Sequence, residues 1–128
     1  QDKSQAIGLF LQKEVTPNYS YGKFKTRGLK ENAKYHFTNH QHIFNVKEFG
    51  DLINTIAPIH IKKNSLAHNI IAIVKKMPGE IEDCIAYGSL FNNSGVKLKQ
   101  GFQGMGYDDE TRLFQDYASR IYLWEEIT

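Results

Sequence analysis

The sequence predicts a mostly β fold, an antiparallel β-sandwich with one or two short helices. Three observations carry that expectation. Apolar and polar residues alternate in several short runs, the period of a half-buried strand. Turn-forming clusters separate the runs, at Thr16-Pro17-Asn18, Gly28-Leu29-Lys30-Glu31-Asn32 and Met77-Pro78-Gly79-Glu80. Helical three-and-four spacing is confined to short stretches in the second and third quarters of the chain.

The elements follow in order. Ala6 to Val15 places Ile7, Leu9, Leu11 and Val15 at alternate positions, so these four are expected on the buried side, with Phe10 on the other. A second strand begins near Tyr21, where Lys23, Lys25 and Arg27 alternate with Phe24 and Thr26 and point to water. Ala33, Tyr35 and Phe37 alternate with Lys34, His36 and Thr38 in a third strand, and Asn39 reverses the chain into His40 to Val46. From Lys47, the residues Phe49, Leu52, Ile53 and Ile56 take helical spacing weakened by Gly50, and Pro58 ends that segment before a brief extended piece at Ile59 to Ile61. Ser65 is placed to cap a helix whose face carries Leu66, Ile70, Ile73, Val74 and Met77. The β-branched Ile70 to Val74 leaves a buried strand open there. Ile81 to Tyr87 is extended, Gly88 to Gly95 is a tight helical turn ending at glycine, and Val96 to Lys99 is extended again. Gly101 to Glu110 is a glycine-bearing loop. The last strand, Tyr117 to Ile127, is apolar on both faces, Ile121 and Leu123 on one and Tyr122 and Trp124 with Arg120 on the other, as expected of a strand that meets its own core and a second body.

Composition narrows the function classes. A chain of 128 residues fits one domain, residues 1–128, and its 41% hydrophobic and 23% charged content is that of a globular protein. Ten basic and five acidic residues fall in positions 1–64, against six and nine in 65–128, an asymmetry that a dipolar solvated surface accounts for. The basic stretch Tyr19 to Lys30 is better read as a solvated strand face than as a nucleic-acid site. No run reaches the roughly 18 apolar residues of a membrane span, and no signal peptide is read. The lone Cys84 cannot form an internal disulfide, which fits a reducing, cytoplasmic location. A start at Gln1 that soon enters the apolar run Ala6 to Leu11 reads as a cut inside a longer protein.

Candidate chemistry is sparse. A glycosidase needs two carboxyl groups facing each other across a bond. Glu48 with Asp51 would instead lie side by side on one helical face, and Asp108, Asp109 and Glu110 form a like-charged polar loop whose spacing matches no calcium loop. His36, His40 and His42 lack further ligands for a metal. Gly104-Met105-Gly106 is not followed by the lysine and hydroxyl of a phosphate loop. Cys84, with no neighbouring base, reads as a small hydrophobe. No catalytic residue, metal or cofactor is therefore expected. Tyr122 and Trp124, with Arg120 beside them, are the candidate contacts, to a neighbouring domain in the first reading and to a sugar ring in the second.

Several segments in order resemble the C-terminal domain of glycoside hydrolase family 36, the bacterial α-galactosidases. They are Thr16-Pro17-Asn18, Phe24 to Leu29 with Tyr35, Phe49 to Asn54, Tyr87 to Gly95, and the closing Asp116 to Tyr122. Two of these, around Gly50 and Gly88, match the same glycine-containing turn of the family, so an insertion or a separate branch is expected. The resemblance implies a parent enzyme that hydrolyses terminal α-galactosides with retention, its aspartate nucleophile and acid on an α/β barrel of ~250 residues and so outside this chain. It implies as partner the catalytic barrel of the parent chain, with galactosides or an oligomer as further partners. A self-standing carbohydrate-binding module, or the C-terminal sandwich of another galactoside-processing enzyme such as a galactoside phosphorylase, fits the same features.

Overall fold

A computed structural model describes residues 2–14, 22–45, 47, 60–62, 64–100 and 117–128. Within them the chain runs β1 (Gln5–Leu11), β2 (Lys23–Phe24), β3 (Lys34–Asn39), β4 (Ile43–Asn45), α1 (Leu66–Val74), β5 (Lys76–Pro78), β6 (Asp83–Tyr87), α2 (Gly88–Asn93), β7 (Val96–Lys97) and β8 (Ser119–Ile127). The fold is thus mostly β with two short helices, as expected. Strands β1, β8, β3 and β6 form a four-stranded sheet in that order, every pair antiparallel. Two further antiparallel ribbons pair β2 with β7 and β4 with β5.

The alternation of β3 and β8 determines where the core sits. Tyr35 and Phe37 from β3 and Tyr122 and Trp124 from β8 point to the same side and are almost fully buried there, together with Leu29, Phe91 and Leu98. The aromatic rings meet at tilted or stacked angles, with Phe37 4.9 Å from Trp124 and 5.6 Å from Tyr122 between centroids, separations at which ring pairs add to simple burial. Phe24 of β2 reaches this face from above, 5.1 Å from Trp124 and 5.7 Å from Tyr122. The β2–β7 ribbon and α2 therefore lie over one face of the sheet, giving a sandwich-like arrangement. Gly8 of β1 makes that possible, because a Cβ at Gly8 would come within 2.5 Å of Phe24 Cζ and 2.8 Å of Trp124 Cζ3.

Helix α2 is tied to the loop before β3. Asn92 accepts from Thr26 Oγ1 at 2.8 Å and donates to the Leu29 carbonyl at 2.9 Å, while the amide of Gly88 donates to Ala33 at 2.9 Å. The helix ends as expected at a glycine in the left-handed region, Gly95, whose φ is +77°. The stretch after Ser65 is a helix rather than a strand. Ser65 Oγ accepts from the His68 amide at 3.2 Å, the capping bond that favours a first helical turn.

Three expectations are corrected. On β1 the buried side is Ala6, Gly8, Phe10 and Gln12, and Ile7, Leu9 and Leu11 face out. The reason is volume, since the rings of Trp124 and Phe24 fill the space above the middle of β1 and leave room only for the small Ala6 and Gly8, while Phe10 packs further along the strand beside Gly22. On α1, Leu66, Ile70, Ile73 and Val74 do share one stripe, but it is exposed, and His68 is the buried residue. Met77 and Pro78, read as a turn, belong to β5 and pair with Phe44 and Ile43. A two-stranded ribbon leaves each strand an edge, where a proline is tolerated. The expected turn at Thr16 to Asn18, the segment Phe49 to Pro58 and the loop Gly101 to Glu110 lie outside the described residues.

Candidate functional site

The three residues singled out in the last strand lie inside the molecule. Tyr122 and Trp124 are 0% and 1% exposed and Arg120 is 3% exposed. The expectation that they present an outer surface is corrected, because β8 turns its aromatic face onto Phe37 and Phe24 and its aliphatic face outward. A sugar ring could stack on them only by displacing the core.

Below the aromatic cluster lies a polar layer that the sequence did not reveal. Arg120 Nε donates to Glu80 Oε1 at 2.8 Å, with both side chains almost fully enclosed, and the Phe44 ring lies 5.8 Å beneath the guanidinium. Asn39 joins this layer to β3, donating to the Glu80 carbonyl at 2.9 Å and accepting from the Glu82 amide at 2.8 Å. The buried Glu82 carboxylate accepts from the Lys99 amide, and its pKa is raised, chiefly because burial penalises its charge. Tyr122 accepts from Gln100 Nε2 at 2.9 Å, and burial pushes its hydroxyl up to about 12. Glu80 and Glu82 are two carboxyl groups in proximity, yet each is engaged by a group of its own fold, and neither opens on a substrate. Their signal in the sequence was indirect: an arginine on a strand between aromatic residues needs an enclosed acid to balance it.

The remaining candidates resolve individually. His36 Nε2 lies 2.7 Å from Asp83 Oδ1, His40 and His42 are exposed, and among the described residues no group of histidine, cysteine or acid could hold a metal ion. Cys84 is half-buried against the core cluster. Glu48, Asp51, Asp108, Asp109 and Glu110 lie outside the described residues. No helix among the described residues is long and apolar enough to cross a membrane.

What the fold leaves open is the other face of the sheet. Antiparallel sheets with one solvated face ordinarily line it with polar side chains. Here Ile7 is 77% exposed, Leu9 61% and Ile121 47%, with Leu11, Ile85 and Tyr87 also on this side. Register makes them contiguous, since Leu9 stands opposite Ile121 and Ile7 opposite Leu123. Polar groups share this face. Gln5 donates to Glu125 at 3.2 Å, His36 meets Asp83, and the Lys34 ammonium lies 5.5 Å over the Tyr87 ring. The apolar row thus follows β1 and the adjoining part of β8, with Glu125, Thr38 and His36 between it and Ile85 and Tyr87 on β6, and an exposed apolar row of this kind marks an interaction surface.

Among curated proteins, none matches this chain. A family model does, the glycosyl hydrolase family 36 C-terminal domain, over residues 1–123. With nearly the whole chain inside that match, and an aromatic-cored antiparallel sheet behind it, the protein belongs to the family of glycosyl hydrolase family 36 C-terminal domains.

Proposed function

We propose that this chain is the non-catalytic C-terminal domain of an α-galactosidase-like glycoside hydrolase, folding as one unit in the cytoplasm and packing on the catalytic barrel of its parent chain. The observation that carries the proposal is the exposed aliphatic face of β1 and β8. Family membership supports this reading, because the C-terminal domain of a glycosyl hydrolase has the rest of that hydrolase as its natural neighbour. Each half-exposed Leu or Ile that becomes covered contributes on the order of 1 kcal/mol, so the row as a whole would hold the domain in place and support the barrel.

The test compares the full-length parent enzyme with a variant carrying Leu9→Lys and Ile121→Glu, which stand opposite each other and so place opposite charges across the ladder. Both side chains lie outside the domain's own core, so the isolated domain is expected to keep its unfolding midpoint, while the parent enzyme inactivates at a temperature several degrees lower. A parent enzyme whose inactivation profile is unchanged would exclude this face as the contact with the barrel.

A further inference from the structure

The opposite side of the molecule carries a feature that docking of the sheet would leave uncovered. The β2–β7 ribbon turns Phe24 down onto Trp124 and Tyr122, and Leu98 and Leu29 are likewise buried. Alternation then sends Lys23, Lys25, Arg27, Lys97 and Lys99 to the outside, all of them exposed. Lys23 stands directly across from Lys97 in the ladder, a placement that ordinarily weakens a strand pair. Glycine at position 95 gathers the charges further. A Cβ there would come within 2.7 Å of Lys25 Cγ and 3.3 Å of Lys23 Cε, so both lysine stems cross over it. Among the described residues no carboxylate pairs with Lys23, Lys25 or Arg27.

We propose that this ribbon binds an acidic glycan, a polysaccharide or oligosaccharide bearing repeated carboxylate or sulfate groups. Strand geometry spaces Lys23 and Lys25 by about 7 Å along one strand, a spacing that suits anions repeating on the scale of a sugar ring. Two other partners fit less well. A protein interface wants an apolar centre and is poor in lysine, whereas no large apolar side chain of residues 22–29 or 95–100 is exposed. A single-stranded nucleic acid wants aromatic platforms for its bases, and the ribbon's only aromatic residue is turned into the core. The ribbon would hold the domain against an acidic glycan, a role separate from packing on the barrel.

The experiment titrates the intact protein with heparin, polygalacturonate, neutral galactan and a single-stranded oligonucleotide over a range of salt concentrations. It is repeated on a variant carrying Lys23→Gln, Lys25→Gln and Arg27→Gln, and on a control carrying Lys62→Gln, Lys75→Gln and Lys76→Gln. Salt-sensitive binding of both acidic glycans, weakened on the order of tenfold by the ribbon variant and unaltered in the control, is the expected result. Thermal unfolding of the ribbon variant checks that the loss is one of charge. Equal binding of neutral galactan, an unaffected ribbon variant, or tighter binding of the oligonucleotide than of either acidic glycan would each overturn the proposal.

Discussion

Glu82 is enclosed by β6, Asn39 and the Lys99 amide, and its carboxyl group holds its proton more tightly than an exposed glutamate does. Burial is the leading cause, opposed by the Lys99 hydrogen bond and reinforced by the negative charge of Glu80. The folded chain therefore binds this proton more strongly than the unfolded chain, whose Glu82 titrates near the ordinary value of 4.5. Stability from this group is fully present below that value and is lost as pH rises through the higher folded pKa. Glu82→Gln keeps an oxygen that can accept from Lys99 and removes the ionisation. Relative to the parent sequence, the variant is expected to gain in urea midpoint as pH rises from about 4 to about 8, and parallel midpoint curves would refute this. The lone Trp124 reports the transition. Nothing in the sequence near residue 82 announced this enclosure, because it depends on Asn39 and Lys99, more than fifteen positions away on either side.

Between elements, the tightest fit is that of the β2–β7 ribbon on β1, at Gly8. An added methyl group there would overlap the Phe24 and Trp124 rings, and overpacking of this kind costs about 1–3 kcal/mol. Gly8→Ala is expected to destabilise by that amount, and by measurably less in a Phe24→Leu background. A double-mutant cycle on urea unfolding measures the coupling, and additive costs would mean that Phe24 does not rest on β1. The same contact explains which parts of the fold could be read in advance. β3 was legible because only one of its faces is apolar, and α2 because Gly95 punctuates it. β1 and β8 are apolar on both faces, so a period of two locates the strands without saying which side is buried. Large aliphatic side chains pointed to one side of β1, while the small Ala6 and Gly8 decided for the other by making room for Trp124 and Phe24. Residues Leu66 to Val74 were ambiguous by propensity, and the Ser65 cap resolved them as helix. The outward turn of the helix stripe had no local signal.

For the whole molecule, the strand nearest the beginning of the sequence pairs along its full length with the strand nearest its end, from Gln5 with Glu125 to Leu11 with Ser119. β8 also sits between β1 and β3, so the sheet cannot form until distant parts of the chain have met. Topologies of this kind fold on the scale of milliseconds to seconds. Refolding followed by Trp124 fluorescence is expected to fall in that range, and completion within microseconds would show that the core forms without β8. Membership of the family was legible from the order of several short segments, since order survives where individual residues drift. The position of the docking face was not, because it depends on the β1 inversion.

The pairing of Gln5 with Glu125 brings the entry and exit of the sheet to one corner, where the Glu126 amide also donates to Ser4 at 2.7 Å. Tension applied through these two points would act across the ladder rather than along it, opening rungs singly like a zip instead of shearing them together. A sheet hung from its corner in this way gives little mechanical resistance by itself, so a neighbour lying across β1 and β8 would act as a splint, bracing the seam where the molecule parts most easily.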